Sequence, residues 1–232
     1  MRILFICLLC VGFMPFSSFS QKTKFYVISP GENILDIVPK AEVYEYPQFQ
    51  QGIVNFRSGR RSLAKLNYHY IYEEILFVGP DGDTLTISNP DDIRYVSIGS
   101  DEFYYSKDRY VKLDTVIGDI KLATSGFFAT ISKKRVGAYG TITDGGSDSY
   151  SSFIVPNTSK LELVANVITT VAKGKALFIG NTYNQFMVIS KKDIFSFFPE
   201  KQTQLKKYLQ DNEVNFYSRK DIVALIVYMS KL

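Results

Sequence analysis

The stretch Leu63-Ala64-Lys65-Leu66-Asn67-Tyr68-His69-Tyr70-Ile71 decides the fold class. Ala64, Leu66, Tyr68 and Tyr70 fall on one side of a period-two pattern, and Lys65, Asn67 and His69 on the other. Successive side chains of a strand point to opposite faces, so this reads as a strand with one buried face and His69 turned to solvent. Upstream, Val54 and Phe56 alternate with Asn55 and Arg57, and Ser58-Gly59 marks the turn between the two strands. Downstream, Ile75 to Val78 is a short apolar run, and Pro80-Asp81-Gly82-Asp83 is a turn signal before Leu85 to Ile87. Arg94 to Ile98, Phe103 to Tyr105 and Tyr110 to Val116 follow, separated by Gly99-Ser100-Asp101 and Lys107-Asp108. Short strands at this spacing predict an antiparallel β-meander curling into a sandwich or barrel.

Beyond residue 142 the chain changes character twice. Thr143 to Ser152 has little to bury, reads as a loop, and is the best candidate for an internal boundary. Leu161 to Ala172 alternates again, and Lys173-Gly174 is expected to close a hairpin onto Ala176 to Ile179. At Ser190 the period becomes helical. Ser190 and Ser218 each precede an Asp three residues later, as in a capping box, although Asp reaches less far back than Glu. Pro199 suits the start of a second helix with Leu205, Tyr208 and Leu209 on one stripe. Ile222, Leu225, Ile226 and Met229 form the stripe of a third. Such short helices need a sheet to cover. The reading is therefore α+β: 1–20 a signal peptide, 21–152 an antiparallel β region, 153–189 a β-hairpin region continuing the sheet, and 190–232 a helical C-terminal segment packed on it.

The first twenty residues have the layout of an export signal. Arg2 gives a positive start, Ile3 to Phe16 is uncharged, and Ser18 and Ser20 are the small residues before a cut between Ser20 and Gln21. Pro15 and the serines after it interrupt a stretch that would need about 20 apolar residues to span a bilayer, so no integral span is expected after cleavage. Cys10 follows Leu9, where lipoprotein processing wants a smaller side chain. Both cysteines, Cys7 and Cys10, lie in this segment, and residues 21–232 hold no thiol. Disulfides, thiolate nucleophiles and Cys-ligated zinc are excluded there by inventory. The expected location is periplasmic or extracellular, with outer-membrane association open.

The run Gly52-Ile53-Val54-Asn55-Phe56-Arg57-Ser58-Gly59, then Leu66-Asn67-Tyr68, with Phe198-Pro199 and Asn215-Phe216 in the tail, resembles a family of uncharacterised exported bacterial proteins. The resemblance implies an extracytoplasmic β-rich body with a helical tail. It implies no activity, substrate or site.

The residues themselves argue against most chemistries. A net charge of +4, from 27 cations and 23 anions with Lys133-Lys134-Arg135 the densest basic cluster, is too mild for nucleic acid, and that cluster reads as a turn or solvated edge. His69 is the one histidine, so a Ser–His nucleophile or a zinc site lacks its partners. Glu73-Glu74, Asp81 with Asp83, and Asp91-Asp92 are the acids a glycosidase would need. Neighbours on a strand face opposite ways, and Asp81 and Asp83 fit a hairpin turn for backbone reasons alone. Asp81-Gly82-Asp83-Thr84 and Asp144-Gly145-Gly146-Ser147-Asp148 lack the spacing and distal Glu of a calcium loop. Gly137-Ala138-Tyr139-Gly140 is no dinucleotide fingerprint and reads as a strand bend with an exposed Tyr. No catalytic residue, metal ligand or cofactor is assigned.

Tyrosine is the unusual feature: all 16 lie after residue 20. Tyr offers apolar area with a polar tip, suited to interfaces and glycan contacts, while also being a good strand former. Tyr104, Tyr105, Tyr110 and Tyr139 are the candidate binding residues. The chain is thus expected to be an exported, non-catalytic protein with a binding or structural role at the bacterial cell envelope, its partner an envelope protein or glycan. A small apolar-ligand carrier is the alternative, followed by a carboxylate-dependent hydrolase.

Overall fold

The turns read between Phe56 and Tyr110 each close a hairpin in the computed structural model, which describes residues 23–137, 141–144 and 167–232. Ser58-Gly59 joins β2 (Gln50–Phe56) to β3 (Arg61–His69). Pro80 to Asp83 joins β4 (Glu74–Val78) to β5 (Thr84–Thr86), with Gly82 at φ +88 where a side chain would be strained. Gly99-Ser100 joins β6 (Ile93–Ile98) to β7 (Asp101–Tyr105). Lys107 and Asp108 both take the left-handed backbone that a two-residue turn matched to strand twist requires, φ 50 and 66, before β8 (Tyr110–Ile117).

The remaining strands are β1 (Phe25–Ile28), β9 (Ile120–Val136), β10 (Ile142–Asp144), β11 (Val167–Gly180) and β12 (Phe186–Val188). All twelve described strands form one antiparallel sheet in the order β1-β11-β9-β8-β7-β6-β2-β3-β4-β5, with β10 beside β9 and β12 beside β11. Two meanders, β2 to β5 and β6 to β9, meet where β2 pairs with β6.

This sheet is curled but not closed. Strands β3 and β9 are five places apart, which in a flat sheet would separate them by about 24 Å. Yet the Tyr68 hydroxyl of β3 donates to the Gly126 carbonyl of β9 at 2.9 Å. Leu66, Tyr68, Phe103 and Tyr110 fill the concave side with Val54, Ile75, Val96 and Ile98.

One face of β9 passes through three surroundings. Leu122 lies under the C-terminal helices: α3 (Lys191–Phe197), α4 (Gln202–Asp211) and α5 (Arg219–Ser230). Thr124 and Gly126 border an open cavity. Phe128 packs under the N-terminal segment with α1 (Ile34–Ile37) and α2 (Lys40–Val43). Both serine caps form: Ser190 Oγ accepts from the Asp193 amide and Ser218 Oγ from that of Asp221. The reciprocal carboxylate-to-backbone bond does not. Asp193 accepts from the Ser190 hydroxyl, and Asp221 accepts from the Asn215 amide. Pro199 opens a single 3₁₀ turn, Pro199–Lys201, leading into α4. Ile222, Leu225, Ile226 and Met229 are all fully buried, the stripe expected of α5.

Several expectations need correction. Lys173-Gly174 is not a turn, because β11 runs through it, paired with β9 in one register from Val171 to Gly180. The hairpin falls at Asn181 to Gln185, where Asn181 Oδ1 accepts the amides of Tyr183 and Gln185. Lys133-Lys134-Arg135 lies inside β9 rather than at a turn, with its side chains solvated. Thr143 and Asp144 belong to β10, while the rest of the expected loop and Tyr139 lie outside the described residues. His69 is not solvent-facing. It is 2% exposed because Tyr44 bridges to it and Asn67 takes the Tyr46 amide and carbonyl with its side chain, covering the face read as polar.

Candidate ligand cavity

Between the helical cover and the N-terminal segment, the concave face encloses a half-open cavity of about 450 Å³. Its floor is aromatic. Tyr68 and Phe103 stack with centroids 5.8 Å apart, and Tyr110 lies beside them, each nearly fully buried. Tyr70 stands against the edge of Tyr68 and lies directly on Gly126, where a Cβ would sit 2.1 Å from its ring. Glycine at this strand position exists to seat that ring.

The walls carry charge from distant parts of the chain. Lys112 of β8 bonds to Glu45, which also accepts from the Tyr70 hydroxyl. Lys112 lies 3.4 Å from Asp101, whose carboxylate accepts the Tyr46 hydroxyl at 2.6 Å. Lys24 bonds to Glu42 at 2.6 Å. The Lys173 ammonium stands 3.6 Å above the Tyr70 ring centre, a cation–π contact, and Lys175 follows on the same face of β11.

These neighbours set the protonation states. Burial pushes the Glu45 carboxyl up, but the bonds from Lys112 and Tyr70 outweigh it and hold it below the ordinary range. The hydrogen bond from Lys24 does the same for Glu42. Burial lowers Lys173 despite the nearby carboxylates of Glu42 and Glu45. Burial, the bond to Glu45 and that charge all push the Tyr70 phenol up, keeping it a neutral donor. The cavity therefore presents ionised acids, ammonium groups and neutral phenols.

A second group of acids is sealed away. Glu73 takes φ 55 in the turn before β4, so it does not alternate with Glu74 as a strand neighbour would, and the two carboxyls interact. Burial and then the charge of Glu73 push Glu74 up to about 7, and burial raises Glu73 despite Arg109 at 3.2 Å. Neither lines the cavity. The Tyr110 hydroxyl is buried without a hydrogen-bond partner among the described residues. Burial alone lowers His69 to about 4; its neutral ring stacks on Tyr72 at 4.0 Å, and Nδ1 accepts the Tyr72 amide.

The candidate tyrosines divide. Tyr110 borders the cavity, and Tyr105 packs edge-on against it at 5.1 Å. Tyr104 faces the opposite side of the sheet, buried with Val111, Ala123, Phe178 and Phe186 and bonded to Glu102. Asp81 and Asp83 lie at the exposed β4–β5 turn, and Asp91 and Asp92 in the 3₁₀ turn Pro90–Asp92. Sequence reasoning missed Lys24, Glu42, Glu45, Lys112, Lys173 and Lys175. The available signal was the β11 face Val171, Lys173, Lys175, Leu177, where two charges interrupt an inward apolar row.

No family model, curated protein or solved structure matches this chain. No described helix is long and apolar enough to cross a membrane.

Proposed function

We propose that this chain is an exported, non-catalytic binding protein of the bacterial cell envelope and that the concave-face cavity is its ligand site. The observation that carries the reading is a half-open cavity of about 450 Å³, within the usual range of about 300–1,000 Å³ for small-molecule sites, bordered by acids that are all ion-paired. A general acid needs a carboxyl held protonated near neutral pH, and Glu42 and Glu45 are held ionised instead. The raised acids, Glu73 and Glu74, lie outside the cavity, which weighs against a carboxylate hydrolase. Lysines and glutamates on the walls weigh against an apolar-ligand carrier, since a fully apolar ligand would strip their water without replacing it.

Export is supported by Arg2, the uncharged run Ile3 to Phe16, and Ser18 and Ser20 before Gln21. The test uses the exported chain as bait against solubilised cell envelope, beside a Thr124→Trp variant that fills the cavity. N-terminal sequencing should begin at Gln21, and the parent should retain an envelope component that the variant loses. Equal retention by both chains, or none by the parent, overturns the reading.

A further inference from the structure

The charges bordering the cavity do not cancel. Lys24 is matched by Glu42, and Lys112 by Glu45 and, at 3.4 Å, by Asp101. Lys173 and Lys175 remain, and neither ammonium makes a hydrogen bond or ion pair with a described residue. Alternation along β11 sets them on one face with backbones about 7 Å apart, close enough for both to reach one polyatomic group. Their pairing partners on β9 are Phe128 and Gly126, so the pair stands where the Tyr70 ring leaves the rim. The cation–π contact orients Lys173 but leaves its charge in place.

We propose that the cavity takes a small organic anion, with Lys173 and Lys175 gripping its carboxylate or phosphate group while the body rests on the floor of Tyr68, Phe103 and Tyr110. The inference rests on the reading of the cavity as a ligand site and names the chemistry of the ligand. Two ammonium groups offer six rotatable donors, which suit the several oxygens of such a group. A cation would meet an excess of like charge, and a neutral sugar would leave both ammonium groups without a direct ion-pair partner, since the nearby Glu42 and Glu45 are bonded to Lys24 and Lys112. The Glu45–Lys112–Tyr70 wall presents both donors and acceptors, so it can bond hydroxyl or amide groups on the ligand body. Burial lowers the Lys173 pKa, and a bound anion reverses that cost.

The test is calorimetric titration of the purified chain with citrate, a hexose phosphate and N-acetylmuramic acid. Glucose and N-acetylglucosamine serve as neutral counterparts, and each probe is run at low and physiological salt. At least one anionic probe should bind roughly tenfold or more tightly than the neutral sugars and weaken as salt rises. The acids and the phosphate separate carboxylate from phosphate recognition. The double variant Lys173→Met/Lys175→Met should lose roughly tenfold or more in affinity. Lys191→Met/Lys192→Met, on α3 and outside the cavity, should bind as the parent does. If the double variant fails to fold, Lys175→Gln on its exposed side chain replaces it and should weaken binding in the same direction. Neutral sugars binding as tightly as the anions, or lysine variants binding unchanged, overturns the anion assignment and leaves the binding-protein reading standing. Absence of binding by every probe overturns the anion assignment, and if Thr124→Trp also leaves envelope retention unchanged, both fall.

Discussion

Leu122 and Gly126 lie on one face of one strand, four residues apart, yet one is sealed and the other borders solvent. The scaffold beneath them is the same β9–β11 ladder. At the sealed end β11 offers Leu177 and Ile179, and the helices answer with Ile222, Leu225, Ile226 and Met229. In the middle it offers Lys173 and Lys175, which border the open cavity, Lys173 resting on the Tyr70 ring. Packing a helix over two ammonium groups would strip their hydration without a counter-charge, whereas packing it over leucine and isoleucine releases water. Within the curled sheet, the side chains of these two adjacent strands mark which part is core and which borders the cavity.

The comparison breaks most severely where the seal itself is cut. Leu225→Ala in α5 should cost about 2–5 kcal/mol in urea unfolding, because the fully buried side chain leaves a cavity the helix cannot refill. Anion affinity should be unchanged in the folded fraction, since Leu225 does not border the cavity.

Acidity separates open from sealed carboxyls next. The folded pKa of Glu74, about 7, lies above its ordinary 4.5, so its stabilising contribution is complete below pH 4.5 and lost as pH rises through 7. At 1.36 kcal/mol per pH unit that loss is about 3 kcal/mol, and Glu74→Gln should flatten it. Glu45 behaves oppositely: its pKa is lowered, so its contribution is present above pH 4.5 and lost on acidification below it. Glu45→Gln should therefore remove part of the acid limb only. Chemical denaturation across pH checks both limbs as differences from the parent, because His69, lowered to about 4, contributes the opposite slope below pH 6.5. A Glu74→Gln protein whose profile matches the parent's between pH 4.5 and 7 would contradict the burial argument.

The smallest change sharpens the comparison inside the cavity. Gly126→Ala places a methyl group 2.1 Å from the Tyr70 ring and must displace it, at a cost of about 1–3 kcal/mol in thermal unfolding. It should also alter the near-ultraviolet circular dichroism of the tyrosines and loosen Lys173, which rests on that ring.

Between Val54 and Val116 the fold was legible because polar and apolar residues alternate and each turn carries its own residues. Strand β9 escaped that reading. Leu122 is covered by helices and Ala123 by the Tyr104–Phe186 cluster, so both of its faces are buried there and no alternation survives. His69 was misplaced for a related reason: its face looks polar locally, and the residues that cover it, Tyr44 and Tyr46, come from a separate segment. The cavity was the least legible part. Its charges come from Lys24, Glu42, Glu45, Lys112, Lys173 and Lys175, spread over about 150 residues, and only the curl of the sheet makes them neighbours. No spacing rule reaches across that distance. Strand alternation sets Glu73 and Glu74 on opposite faces, a geometry that the left-handed backbone of Glu73 does not obey.

The pairing of β1 with β11 has a consequence in time. Phe25 faces Ala172 and Ile28 faces Thr169 in the register, a closure over nearly 150 residues. Contacts of such sequence separation carry a large loop-closure cost, and synthesis delivers the N-terminal strand long before its partner. Phe25 to Ile28 must therefore wait, unpaired, until residue 172 arrives. Docking of β1 also brings Thr23 and Lys24 to the cavity rim. The rim of the cavity is thus complete only once this long-range pairing has closed.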